Sequence, residues 1–267
     1  MGLAPWVIYD IALFILSVVY LLLIYYTLKK IFPESQSLPI ISFFIAILST
    51  GFFKIINTAN GINIIPFDFR FSYTMAFYRL GGVVLHLGVF IASLLFILAA
   101  TSLIEILMFN NKINSKRFAV NLALAIILLL YMTIGNPVTA LVDVACMVIT
   151  FIILLLIPPP GRNLKSHLPG VISLFIIVLL VIILPSLSVF YVQWQATQGP
   201  QFQYSLQWER SFDKPTLINF ILSTGPLALL VPFGIYPFLR KLSVLRVFGM
   251  VFTFFPLIIY FSFFPKL

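Results

Sequence analysis

The sequence predicts an all-α, polytopic transmembrane helical bundle of about eight spans. Three observations carry that expectation. Apolar runs of about 18 or more residues recur along nearly the whole chain, and about 20 such residues match a hydrocarbon core roughly 30 Å thick. The composition, 62% hydrophobic and 9% charged, leaves a soluble domain too few polar groups to cover its surface. In lipid, backbone groups must pair within the segment or in a closed barrel, and these runs are too apolar for barrel strands.

The elements follow in order. The first span, 6–28, opens on Trp6-Val7-Ile8-Tyr9-Asp10 and ends in the basic pair Lys29-Lys30. A second is expected over 37–56, and a third over 81–109, long enough to tilt or to extend beyond the bilayer. Spans 118–134 and 138–157 are joined by the short Gly135-Asn136-Pro137 hairpin. Three consecutive prolines at 158–160 make a stiff turn before span 169–191. The seventh, 215–238, contains Pro226, Pro232 and Pro237 and is expected to kink. The eighth covers 247–264. The whole reads as one integral-membrane domain, 1–267, with outer loops at 57–80 and 192–214.

Charge sets the orientation. The net charge is +9, but the basic residues are scattered between apolar runs rather than gathered into a nucleic-acid patch. Lys29, Lys30, Lys112, Lys116, Arg117, Arg162, Lys165, Arg240, Lys241 and Arg246 fall on one side, ten of the sixteen. The positive-inside rule makes that side cytoplasmic and puts both termini and both long loops outside. An N-out first helix must carry its own N-terminus across, which is the less common arrangement.

Several chemistries find no residues here. Cys146 is the single cysteine and lies within an apolar run, so there is no disulfide framework and no zinc cluster. No Walker-type glycine loop, aspartate-rich prenyl-diphosphate motif or HExxH is present. His86 and His167 are too far apart in sequence to suggest paired haem ligation. The sequence calls for no cofactor, and leaves only a divalent cation open to its acidic residues.

Polar residues at membrane depth are costly and mark candidate sites. Thr139, Asp143, Cys146 and Thr150 are spaced i, i+4, i+7, i+11, one helical face, with Asp143 in its outer third. The same face would serve as a polar packing seam between helices. Arg79, Gly82, His86 and Ser93 fall on one face of the third span, which predicts that His86 turns inward near the outer surface. Asp10 and Ser17 share a face of the first. Asp143 is expected to pair with one of Arg79, Asp10 or His86. Glu105, near the cytoplasmic end, has loop lysines within reach.

The outer loops hold the rest. Phe67-Asp68-Phe69-Arg70-Phe71 alternates strictly, segregating rings from charges in an extended segment. Residues 192–214 carry Gln193, Trp194, Gln195, Trp208, Glu209, Arg210, Asp213 and Lys214. Amides among aromatics suit sugars, whose apolar faces stack on rings while their hydroxyls bond the amides. An interfacial aromatic belt gives the same composition.

Three features together resemble polytopic glycosyltransferases of the GT-C class, dolichyl-phosphate-mannose-transferase-like membrane proteins of bacteria. They are the Trp6–Asp10 opening of a helix that ends Tyr25-Tyr26-Thr27-Leu28-Lys29-Lys30, the Arg79-Leu80-Gly81-Gly82 segment with His86, and the Gly135-Asn136-Pro137 hairpin before Thr139 and Asp143. The likeness spans most of the chain and is one of pattern and topology. It implies a multi-pass plasma-membrane protein of a bacterium or archaeon that transfers sugar from a polyprenyl-phosphate carrier at the outer face. The family's catalytic acid lies in the first outer loop, between its first two helices. No such loop precedes the first span here, which implies an N-terminally truncated or divergent member.

Under that resemblance Asp68, Asp143, Asp10 and His86 are the candidates for acid–base work. Arg79, Arg70, Arg210 and Lys214 would hold phosphate, and Trp194 and Trp208 the sugar. The partners implied are the lipid bilayer and a polyprenyl-phosphate-linked sugar, with no nucleic acid. The alternative is a transporter or permease-like bundle, since kinked helices with buried Asp143 and His86 would suit a substrate or proton pathway, or a non-catalytic membrane subunit.

Overall fold

The computed structural model describes residues 5–48, 53–58, 61–66, 84–109, 114–159, 168–199 and 242–263. Among them are seven helices: α1 Pro5–Ile31, α2 Ser37–Leu48, α3 Val84–Met108, α4 Ser115–Gly135, α5 Pro137–Leu156, α6 Leu168–Thr197 and α7 Val244–Phe263. One antiparallel hairpin, β1 Phe53–Thr58 with β2 Gly61–Pro66, stands between α2 and α3 in sequence. Five helices, α1, α3, α4, α5 and α6, are long and apolar enough to cross a membrane. The chain is an integral membrane protein built on helices. The expected span 215–238 lies outside the described residues.

The hairpin corrects the expected second span. Residues 53–56 were assigned to a helix over 37–56, whereas they pair as strand, in the register Phe53↔Pro66 to Thr58↔Gly61. The physical reason is local: Ile55, Ile56, Thr58, Ile62, Ile64 and Ile65 are β-branched. Thr58 and Gly61 form the last pair, so only two residues separate the strands. The 12 residues of α2 rise only about 18 Å, short of the hydrocarbon thickness.

The caps explain where the central helices break. Asn114 opens α4, its Oδ1 accepting from Arg117 N at 3.0 Å. Asn136 serves two helices at once. Its N–H donates to Met132 O at 2.7 Å to close α4, and its Oδ1 accepts from Thr139 N at 3.2 Å to open α5. Pro137 occupies the first position of α5, where its missing N–H has no partner to lose.

The described residues divide between two compact units, with the boundary between Leu87 and Gly88 inside α3. In the first, α1 packs on α2, with Tyr25 edge-on to Phe43 at 5.7 Å. Tyr9 Oη accepts from Val84 N at 3.4 Å. Most of α1 is exposed apolar surface, which lipid tails satisfy.

In the second unit α3 to α7 share one core, to which Phe96, Leu103, Met132, Met147, Phe151, Phe175, Ile182 and Phe248 contribute. Helix α4 packs against α5 and α6, and α5 against α7. Gly88 of α3 lies so close to Tyr131 of α4 that a Cβ there would collide with the phenol. At the other end Ser102 Oγ accepts from Asn121 Nδ2 at 3.2 Å and from Arg117 at 3.3 Å. Gln193 Nε2 of α6 donates to Ile134 O at 2.9 Å, tying α6 to the end of α4. The α3 start, the α4 end, the α5 start and the α6 end therefore lie at one end of this unit.

The orientation expected from charge makes that end extracytoplasmic. In a Cys146→Ser background, a cysteine at Gln198 is expected to react with an impermeant maleimide in intact cells. One at Lys116 is not. The reverse pattern would invert the orientation.

Candidate functional site

Helix α5 buries Ala140, Asp143, Cys146, Met147, Thr150, Phe151 and Leu154, a stripe at helical spacing. The polar members Asp143, Cys146 and Thr150 are each 0% exposed, and Thr139 is half-buried. The face therefore turns into the core, as its spacing predicts. Ser93 of α3, itself buried, lies beside the Asp143 carboxyl. It does not complete a hydrogen bond, and neither carboxylate oxygen finds a partner.

Of the partners expected for Asp143, Arg79 lies outside the described residues and the other two are placed on exposed surface. His86 is exposed in the first turn of α3 rather than turned inward, and Asp10 is exposed on α1. His86 and Ser93 do share a face by spacing. Helix α3 becomes buried only from Leu87 onward, though, so the histidine stands one turn beyond the cover that encloses the serine. Asp68, Arg70, Arg79, Trp208, Arg210 and Lys214 lie outside the described residues.

Trp194 is placed, and its setting corrects the expected loop. Residues 192–197 continue α6, which stops only before Gly199-Pro200. Within that last stretch Gln195 Nε2 donates to Tyr191 Oη at 2.7 Å, one turn back along the helix. The 30 residues of α6 rise about 45 Å against a hydrocarbon core of roughly 30 Å. Its last two turns carry Trp194, 59% exposed, together with the bonded pair Tyr191 and Gln195.

Arg246, expected among the cytoplasmic-side cations before the eighth span, lies in the first turn of α7 and is buried. Ser243 Oγ accepts from its N–H at 3.2 Å, starting the helix three residues earlier than expected. The neighbouring Val244 and Val247 draw that turn into the core.

Two features escaped sequence reasoning. Ser186 of α6 is buried with its hydroxyl unpartnered, and Pro185 beside it withholds the N–H that the carbonyl four residues back would accept. A proline inside an apolar run was the available signal. Among the described residues no group of His, Cys, Asp and Glu has the makings of a metal site. No family model, curated protein or solved structure matches this chain.

Proposed function

We propose that this protein is a membrane-embedded glycosyltransferase-like module that takes a polyprenyl-phosphate-linked sugar at its extracytoplasmic face. The observation that carries the reading is the projecting end of α6. An exposed indole, a phenol and an amide bonded to that phenol lie within its last two turns. Rings of this kind stack on the apolar face of a sugar, and amides bond its hydroxyls. The same helix end is held to α4 through Gln193 and Ile134, so the platform is anchored.

The chemistry asks for two further groups. A carboxylate takes the proton of the acceptor hydroxyl as its oxygen bonds the anomeric carbon. Cations then receive the phosphate as the bond from that carbon to the phosphate oxygen breaks. Asp10 and Asp68 are the carboxylates assigned to the first role, and Arg79, Arg70, Arg210 and Lys214 the cations assigned to the second. The resemblance and the expected topology support these assignments.

Trp194→Ala is expected to weaken binding of a polyprenyl-phosphate hexose to the nanodisc-embedded protein about three- to tenfold, the range of a lost ring stack. Trp6, 70% exposed on α1, is an interfacial tryptophan with no such amide beside it among the described residues, and Trp6→Ala is the control. Equal behaviour of the two variants would reduce Trp194 to an interfacial anchor. A permease-like bundle or a non-catalytic subunit would then be the better reading.

A further inference from the structure

We propose that Asp143 and Ser93 form an exchangeable site for one small monovalent cation, a proton or sodium, inside the second unit. Thr150 and Ser186 are the polar steps on either side of it.

The first support is the contrast among buried hydroxyls. Thr101 and Thr133 return their protons to their own helices, to Ile97 O at 2.7 Å and Leu129 O at 2.8 Å. That is the ordinary solution for a threonine in a helix, and it leaves nothing to spare. Thr150 does not take it, and neither does Ser186. Both hydroxyls are sealed from solvent and unpartnered, as are both oxygens of Asp143. Four unsatisfied oxygens on two helices contrast with the bonded hydroxyls of Thr101 and Thr133.

The second support is their placement. Phe151 stacks on Phe175 with ring centroids 3.7 Å apart, which fixes the register of α5 on α6. Eight residues back from Phe151 is Asp143, about 12 Å toward the outer end; eleven on from Phe175 is Ser186, about 16 Å the same way. Ser186 therefore stands about one turn outward of Asp143. Thr150 stands about 10 Å inward on the same face, with Cys146 between. Asp143 itself lies about 9 Å below the start of α5, well within the hydrocarbon.

Charge then selects the ligand. A buried carboxylate with no counter-ion is too costly to persist, so it holds either a proton or a cation. The single carboxylate here neutralises a single charge, and a divalent ion would leave excess charge in a low dielectric. Among the described side chains, the other titratable groups on the surrounding helices lie toward their ends. His86, Tyr131 and Tyr191 are at one end; Glu105, Lys116, Arg117 and Arg246 are at the other. Cys146 is the titratable neighbour of the carboxyl. Carboxylate and hydroxyl oxygens are hard ligands suited to sodium as well as to a proton. The inference is independent of the sugar platform on α6, and a Trp194→Ala protein should retain the site.

The test is infrared difference spectroscopy of the full chain in nanodiscs, titrated with acid and, separately, with sodium against choline. A carboxyl band absent from Asp143→Asn is expected to respond to one of the two. Loss of the band on adding sodium but not choline identifies sodium. A response to acid alone identifies the proton. Ser93→Ala, which keeps the carboxyl but removes the hydroxyl oxygen beside it, should move the midpoint about tenfold in cation concentration, the effect of one lost polar contact to a bound charge. An Asp143 carboxyl that stays wholly protonated or wholly ionised throughout both titrations would overturn the proposal. So would a Ser93→Ala midpoint equal to that of the parent.

Discussion

Phe151→Ala is expected to destabilise the second unit by about 2 kcal/mol or more, measured as the loss of thermal stability in nanodiscs. Phe151 and Phe175 are both buried, with ring planes only 1° from parallel. In water such a truncation costs about 3–5 kcal/mol, part of it the transfer of the ring out of water. That part is nearly absent here, because lipid tails are as apolar as the core. The cavity remains: on the order of 100 Å³ at about 24 cal/mol per Å³ gives about 2 kcal/mol. Phe14 of α1, 71% exposed, is the control, and Phe14→Ala should stay within about 0.5 kcal/mol of the parent. Equal losses at the two positions would mean that the stack does not hold α5 to α6.

That register matters because it places Ser186 level with the polar face of α5, and the sequence alone could not give it. The apolar runs were legible because membrane thickness sets a length that few other structures need. The stripe Asp143, Cys146, Thr150 was legible because its spacing is helical, and a carboxylate in lipid has to turn inward. The same reasoning failed at His86, since spacing assigns a face but not the height at which neighbouring helices begin to cover it. It failed at Phe53–Ile56 because a short apolar run reads equally as helix or strand. There the isoleucines on both sides of the connection carried the information that would have decided. The burial of Arg246 was not legible because a basic residue between two apolar runs looks like a topological marker until a cap at Ser243 draws it into the helix. The burial of Ser186 and Thr150 without partners depends on which helices meet, and that is a tertiary fact.

Asp143→Val is expected to raise stability by about 1–3 kcal/mol while abolishing the cation response. Ordinary reasoning about buried polar residues predicts the opposite, since removing one member of a satisfied pair strands the other. Asp143 has no such pair: both of its oxygens are buried and unpartnered, so replacement leaves no group newly orphaned. What disappears is the desolvation penalty of the carboxyl, about 1–3 kcal/mol for an unsatisfied buried group. Valine is close enough in volume to the aspartate to limit overpacking against Met147 and the neighbouring helices. The lower end of the range is the better expectation if the unfolded chain, still in the membrane, finds the carboxyl a partner of its own. Asp143→Asn separates the two contributions. It preserves the shape but keeps unsatisfied polar atoms, so its stability should stay near that of the parent. A functional site that holds a polar group against the interest of the fold predicts this ordering, with valine above asparagine and asparagine near aspartate. A valine variant that melts below the parent would instead make Asp143 a structural residue, bonded in the membrane to a group that stabilises it.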